Sequence, residues 1–328
     1  MSDIRTTYMG IPLANPIVVG ACSLSKKIDT IRQIEDAGAG GLVIKSLFEE
    51  QIQHDRGDFE DRMSKYDNMF SEAVSMFPRY EHAGAREHLK WVSETRKVVK
   101  MPLFASLNAV EKESWVEYAR ELEATGVDGL ELNFYSPPLD RNLPGGDIEK
   151  QEVETLASVV AVVAVPVSVK LHPFYSNLLN HAKNLEEAGA KALVLFNRLF
   201  EPDIDLSKEA KKATLHLSSA DDSRVPLRWT ALLSPHAKCD LIASTGVMSG
   251  LDVAKMLLAG AQAVQVASTV FRNGIGHIGQ MRSDLELWMR DHKHANLTEF
   301  RGKVAKLQAD DPWHFERGQY IKAVVGFD

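Results

Sequence analysis

Cysteine is nearly missing from this chain: only Cys22 and Cys239 occur, far apart in sequence. That excludes a disulfide framework, and no Cys/His cluster has metal-ligand spacing, so no metal is expected. Basic excess is also lacking, because 38 Lys and Arg face 45 Asp and Glu for a net charge of −7. Nucleic acid and acidic membranes are therefore poor partners. No segment approaches the roughly 18 apolar residues of a membrane span. The first ten residues, MSDIRTTYMG, have neither a basic nor an apolar targeting region. A soluble cytoplasmic protein without a nucleic-acid or membrane partner is expected. Also absent is a G-x-G-x-x-G after the first predicted strand, the usual mark of a doubly wound dinucleotide-binding sheet.

What the sequence does hold is a core, 45% of its 328 residues being hydrophobic, and a repeat. EDAGAGGLVIKS (35–46), EATGVDGLELNF (123–134), EEAGAKALVLFN (186–197) and LLAGAQAVQVAS (257–268) each end a helix at a glycine and enter a short apolar strand. Between them fall NPIVVGAC (15–22), MPLFASLN (101–108), VPVSVKLH (165–172) and CDLIASTG (239–246). Eight nearly all-apolar strands of this kind suit a parallel sheet buried on both faces. The segments between them carry helical spacing, with Ile28, Ile31 and Ile34 on one face and Trp115, Ala119 and Leu122 on another. The alternation predicts an α/β (β/α)8 TIM barrel in one domain over 1–328, with its core at about 15–272.

Three additions to the minimal barrel are expected. TTYMGIPLANP predicts an N-terminal hairpin across the barrel bottom with Gly10 in its turn. Residues 47–84 form a long loop after strand 2, on the side where lids are found. Residues 273–328 read as a helical C-terminal extension, whose Trp and Met serve packing or a subunit contact.

In a barrel, polar residues at the carboxyl ends of the strands face the active site. In chain order these are Ala21, Cys22 and Ser23; Lys45 and Ser46; Ser106 and Asn108; Asn133 with Ser136; Lys170 with His172; Asn197; Ser244, Thr245 and Gly246; and Ser268 and Thr269. Cations, amides and hydroxyls without paired carboxylates point to a large, polar, partly anionic cofactor rather than to hard-cation or glycosidase chemistry. The Thr245-Gly246 and Ser268-Thr269 turns, each before a helix, suit a phosphate. Lys45 and Lys170 end apolar strands, so each ammonium must meet an anion or an electron-rich ring edge. Cys22 and Cys239 read as small packing residues. His172 reads equally well as structural or functional.

Taken together, ANPIVVGACS leading to VIKS, then ELNFYSPP, VPVSVKL and TGVMSGLD…AGAQAVQVASTV, in this order, resemble the dihydroorotate dehydrogenase family. The resemblance covers about Tyr8 to Lys303. It implies FMN as cofactor, contacted by Ala21, Cys22, Lys45, Ser46, Ser106, Asn108, Asn133 and Lys170, with Thr245, Gly246, Ser268 and Thr269 on its phosphate. It also implies Asn133 and Asn197 as substrate-binding residues. Ser136, in the position of the catalytic base, and Lys45 are the implied catalytic residues. The implied reaction oxidises dihydroorotate to orotate, a step of pyrimidine biosynthesis, or acts on a related cyclic amide.

Two features depart from the family. Pro138 stands where an asparagine usually binds the pyrimidine, and NMFSEAVSMFP (68–79) has no recognisable asparagine turn. A serine base resembles the membrane-associated branch, but the amphipathic amino-terminal extension of that branch is missing, so the electron acceptor is open. Two other readings stand beside this one. The first is a Schiff-base aldolase using Lys170, and the second is a flavin-binding protein with altered or lost turnover. A homodimer is the default assembly.

Overall fold

The computed structural model describes residues 2–50, 52, 84–135, 139–198, 202–212, 216–306 and 312–326. Eight parallel strands close into a barrel: β1 (Ile17–Val19), β2 (Gly41–Phe48), β3 (Leu103–Asn108), β4 (Gly129–Asn133), β5 (Val167–Leu171), β6 (Ala192–Leu195), β7 (Asp240–Ser244) and β8 (Ala263–Val266). Each pairs with its neighbour in chain order, and β8 pairs with β1 through Val264 to Ile17 and Val266 to Val19. These are the eight strands expected from the repeat, and the fold is a (β/α)8 TIM barrel.

Helices α1 (Ile28–Asp36), α2 (Ala85–Val98), α3 (Lys112–Ala124), α4 (Gly145–Val160), α5 (Leu178–Glu187), α6 (Arg224–Leu233), α7 (Gly250–Leu258) and α8 (Ser268–Asn273) follow the strands in turn. The repeat has a conformational basis. Gly38, Gly126, Gly189 and Gly260 lie just beyond α1, α3, α5 and α7 at φ values from +82° to +109°, where a Cβ would strain the chain. Ile31, Ile34, Trp115, Ala119 and Leu122 are all buried, as their spacing requires.

Strand alternation divides the interior from the helix layer. Leu42, Ile44, Leu103, Ala105, Leu130 and Leu132 belong to the core shared with the helices. Val18, Val43, Phe104, Val194 and Ile242 pack inside the barrel. The hairpin Thr6–Tyr8 with Ile11–Leu13 stoppers the lower interior: Tyr8, Met9 and Leu13 join that inner cluster, and the Tyr8 ring lies 4.7 Å from Phe104. Its turn uses Met9 and Gly10, both at positive φ, and the Met9 N–H donates to Asp240 Oδ2 at the amino end of β7 (2.7 Å).

Beyond the barrel, α9 (His277–Asp291) lies against α7. A Cβ on Gly250 would come within 2.2 Å of the Met281 carbonyl, so only glycine allows this approach. Met281 and Met289 are buried and Trp288 packs beside them, which supports the packing reading of the tail. A further helix spans Pro312–Val325. One element was not anticipated, a short exposed ribbon of Asp203–Asp205 with Ala210–Lys212 between β6 and α6. The expected long loop shrinks at its start, because β2 runs on through Leu47 to Phe48. Residues 51 and 53–83, including 68–79, lie outside the described residues. Among the described residues no helix is long and apolar enough to cross a membrane.

Candidate active site

The upper interior differs from the lower in chemistry. Along β3 the inward positions run Phe104, Ser106, Asn108, and along β4 they run Gly129, Glu131, Asn133. A period of two carries each strand from apolar to polar as it climbs toward its carboxyl end. Asn133 is the junction there: Asn197 Nδ2 donates to its side-chain oxygen (2.8 Å) and Asn108 Nδ2 donates to its carbonyl (2.7 Å). Ser46 and Ser106 share a hydrogen bond of 2.8 Å and are both buried. Their pairing coincides with a register shift between Ile44 and Leu47 of β2. Such a bulge re-aims side chains, and here it falls on Lys45 and Ser46.

A cavity of about 140 Å³ opens at the ends of β1 and β5 to β8, lined among others by Ala21, Lys170, Asn197, Thr245, Gly246 and Ser268. Arg198 and Ser218 also line it, and no carboxylate does so among the described residues. Thr245 stands at φ +79° and Gly246 at +77°. A β-branched residue in that region is strained, and Thr245 is held there by its hydroxyl, which donates to the Phe196 carbonyl (3.0 Å). A Cβ on Gly246 would meet the Ser223 backbone nitrogen at 2.2 Å, so the turn passes tightly under the 219–223 segment. Ser218 ties the two turns together. Its N–H donates to Ser268 Oγ (3.0 Å) and its Oγ lies 3.4 Å from the Gly246 N–H.

Lys170 does meet an anion. Its Nζ lies 3.5 Å from Glu131 Oε1 and donates to Gln265 Oε1 at 3.0 Å. Lys45 is half-buried with its Nζ 5.7 Å from the Phe48 ring centre; burial, and then the charge of Lys26, push its ammonium below the usual lysine range. Cys22 sits beside the cavity rim, and burial raises its thiol above the ordinary value, which favours an unreactive SH. Cys239 is shifted the same way by burial.

The structure thus brings together Ala21, Lys170, Asn197, Thr245, Gly246 and Ser268 around one cavity. Asn108 and Asn133 join it by hydrogen bonds, while Ser46 and Ser106 form a buried pair beside them. Thr269 is not at the cavity; it is buried and its hydroxyl donates to the Met248 carbonyl (2.9 Å). His172 stacks on Tyr175 at 4.0 Å and its Nδ1 accepts the Phe174 N–H, which favours the structural alternative. Ser136 and Pro138 lie outside the described residues. Sequence reasoning did not assign Glu131, Gln265, Arg198 or Ser218. The first two had a signal: Gln265 is the one polar residue of β8, and Glu131 interrupts the apolar run of β4 before its terminal Asn133.

Comparison with known proteins identifies a family over most of the chain. A family model described as dihydroorotate dehydrogenase matches residues 3–289. The catalytic subunit of dihydroorotate dehydrogenase B (NAD(+)) from Thermoplasma volcanium is 27% identical over 311 residues, covering 93% of this chain and all of that protein. A Geobacillus protein of the same name is 26% identical over 277 residues, covering 83% of this chain and 86% of the relative. A relative from Aeropyrum pernix, provisionally named dihydroorotate dehydrogenase A (fumarate), is 29% identical over 282 residues, 83% of this chain and 88% of its own.

Proposed function

Since this chain belongs to the dihydroorotate dehydrogenase family and is a dehydrogenase acting on a CH–CH bond, we propose that it uses FMN to oxidise dihydroorotate, or a closely related cyclic amide. The observation that carries this reading is the cavity set of Lys170, Arg198, Asn197 and the Thr245-Gly246 turn. Two cations and a glycine turn suit a phosphate-bearing group, and the missing carboxylates remove the repulsion such a group would meet. At about 140 Å³ the cavity takes up part of a cofactor, since whole ligand sites usually measure about 300–1,000 Å³. Residues 136–138 and 199–201, which follow Tyr135 and Arg198 in sequence, lie outside the described residues.

FMN, when bound, supplies the hydride acceptor for the carbon neighbouring the one that loses its proton. The protein's own residues would do the rest. The Thr245-Gly246 turn and Ser268 would hold the phosphate through hydroxyl and backbone N–H groups, with Arg198 adding charge. Lys170 would stabilise negative charge on the ring system by a fixed ammonium in a site of low dielectric. Asn133 and Asn197, already locked to each other, would orient the substrate amides, and Asn108 would keep Asn133 in place. Ser136 would take the substrate proton at Oγ, which requires an acceptor beyond it because serine alone is a weak base. Lys45, Ser46, Ala21 and Cys22 would border the ring.

The aldolase alternative is disfavoured by the family match over residues 3–289, which is to dehydrogenases. Pro138 favours one second reading, a family member with a different cyclic amide as substrate. Anaerobic mixing with dihydroorotate beside a panel of cyclic amides separates these outcomes. Bleaching of the flavin by dihydroorotate supports the family substrate, and bleaching by another amide alone supports the second reading. Bound flavin that no compound reduces would overturn the proposed activity. Relatives named for NAD(+) and for fumarate leave the electron acceptor to be found by the same method run in reverse.

A further inference from the structure

Lys170 and Gln265 line the cavity, and Glu131 behind them completes a polar triangle. Glu131 is fully buried, Gln265 is 2% exposed and Lys170 is 8% exposed. They come from β4, β8 and β5; β4 and β5 are neighbours in the sheet, and the two sides that meet at Gln265 on β8 cross the barrel interior. Gln265 Nε2 donates to Glu131 Oε2 (2.5 Å), and its Oε1 accepts from Lys170 Nζ (3.0 Å). Both ends of the amide are used, which fixes its orientation: carbonyl toward the ammonium, NH2 toward the carboxylate. The backbone makes room for this, because a Cβ on Gly20 would stand 3.3 Å from Gln265 Oε1.

Fold stability gives no reason to keep such a group. A buried ion pair can often be exchanged for packed apolar side chains at no cost or with a gain. The strands around it already supply apolar neighbours in plenty. The triangle does control one thing, the position and effective charge of Lys170. A lysine ammonium on a four-carbon stem is mobile unless its donors are engaged, and a carboxylate 3.5 Å away offsets part of its field.

We propose that Glu131, acting with Gln265, is a positioning residue that fixes Lys170 Nζ at the cavity and attenuates its charge, and so would set the reduction potential of an FMN bound there. This rests on the FMN reading above. Glu131 itself touches neither substrate nor flavin; it acts through Lys170. Neutralising it exposes the full ammonium and favours the negatively charged, reduced cofactor. Removing Gln265 instead leaves Lys170 to Glu131 alone and draws the charge away from the cavity, with the opposite effect.

The test uses the full chain loaded with FMN, titrated with sulfite, which adds to oxidised flavin to give an anionic adduct, alongside the midpoint potential. Glu131→Gln should retain FMN, raise the potential and tighten sulfite binding about tenfold, the scale of one unit charge removed at short range in a protein interior. Gln265→Met should lower the potential and weaken sulfite binding several-fold, which keeps the claim testable should the first variant not fold. In a Lys170→Met background the Glu131→Gln effect should shrink to the direct field of the carboxylate alone. FMN bound at wild-type potential and sulfite affinity in Glu131→Gln and Gln265→Met overturns the inference. So does a Glu131→Gln shift that is undiminished without Lys170. A wild-type chain that takes up no FMN overturns the functional reading, and the inference with it.

Discussion

The lower and upper halves of the barrel interior are walled by the same strands and filled by opposite chemistry. Below, Phe104, Val43, Val194 and Ile242 pack against Tyr8, Met9 and Leu13 of the hairpin. Above stand Ser106, two residues beyond Phe104 on β3, and Glu131, Lys170 and Gln265 on β4, β5 and β8. The lower half is closed by a hairpin that supplies side chains, whereas the upper half keeps space and spends its inward positions on hydrogen bonds. The change occurs within one pleat of the strand, about 7 Å. Stability and function are thus separated along the barrel axis rather than between domains, and substitutions in the two halves should fail in different ways.

The largest effect is expected from Lys170→Met. It leaves the Glu131 carboxylate buried without its ammonium, a loss of about 3–5 kcal/mol, and it should slow flavin reduction by about 10²–10³-fold. Urea denaturation and anaerobic stopped flow read the two separately. Adding Glu131→Gln should restore much of the stability and none of the rate. In the lower half, Phe104→Ala should cost about 3–5 kcal/mol by opening a cavity beneath Tyr8. The protein that remains folded should bind FMN as the wild type does. Weakened FMN binding with little loss of stability would break the division between the halves.

Gly246→Ala sharpens the comparison at the rim. The added Cβ would collide with the Ser223 backbone at a φ of +77°, so FMN affinity should fall at least about tenfold, equal to about 1.4 kcal/mol, with most of the fold intact. Isothermal titration with FMN checks this. The smallest effect is expected from Asp240→Asn at the barrel bottom. Burial raises this carboxyl above its ordinary value, with the Met9 N–H bond opposing. A raised folded value means that the folded state holds the proton more tightly. The contribution to stability is therefore fully present below the unfolded value of 3.8 and lost as pH rises through the folded value. Asp240→Asn should flatten the stability profile in that window while leaving FMN binding unchanged.

Four of the eight strands were legible because the repeat has a local cause, a glycine at positive φ that ends a helix and starts a strand, and the other four because they are short apolar runs alternating with it. The strand-end rule then collected most of the polar side chains that line the cavity, since a barrel converts chain position into place. What stayed hidden depends on contacts across the barrel. Glu131 and Gln265 meet although 134 positions separate them, and nothing near either residue announces the other. The signal was the misfit of each within an apolar strand, which marks a buried polar residue but not its partner. Thr269 shows the reverse error: it stands beside Ser268 in sequence, yet the helical turn of α8 sends its hydroxyl to Met248. The ribbon at Asp203–Asp205 and Ala210–Lys212 carries too little hydrophobic pattern to be read as strand.

The most direct test of the account is an FMN titration of the purified wild-type chain, followed by flavin fluorescence. Saturable uptake of one FMN per chain, weakened by Gly246→Ala and unaffected by Asp240→Asn, is the predicted result. A chain that comes colourless from purification and takes up no added FMN would contradict it.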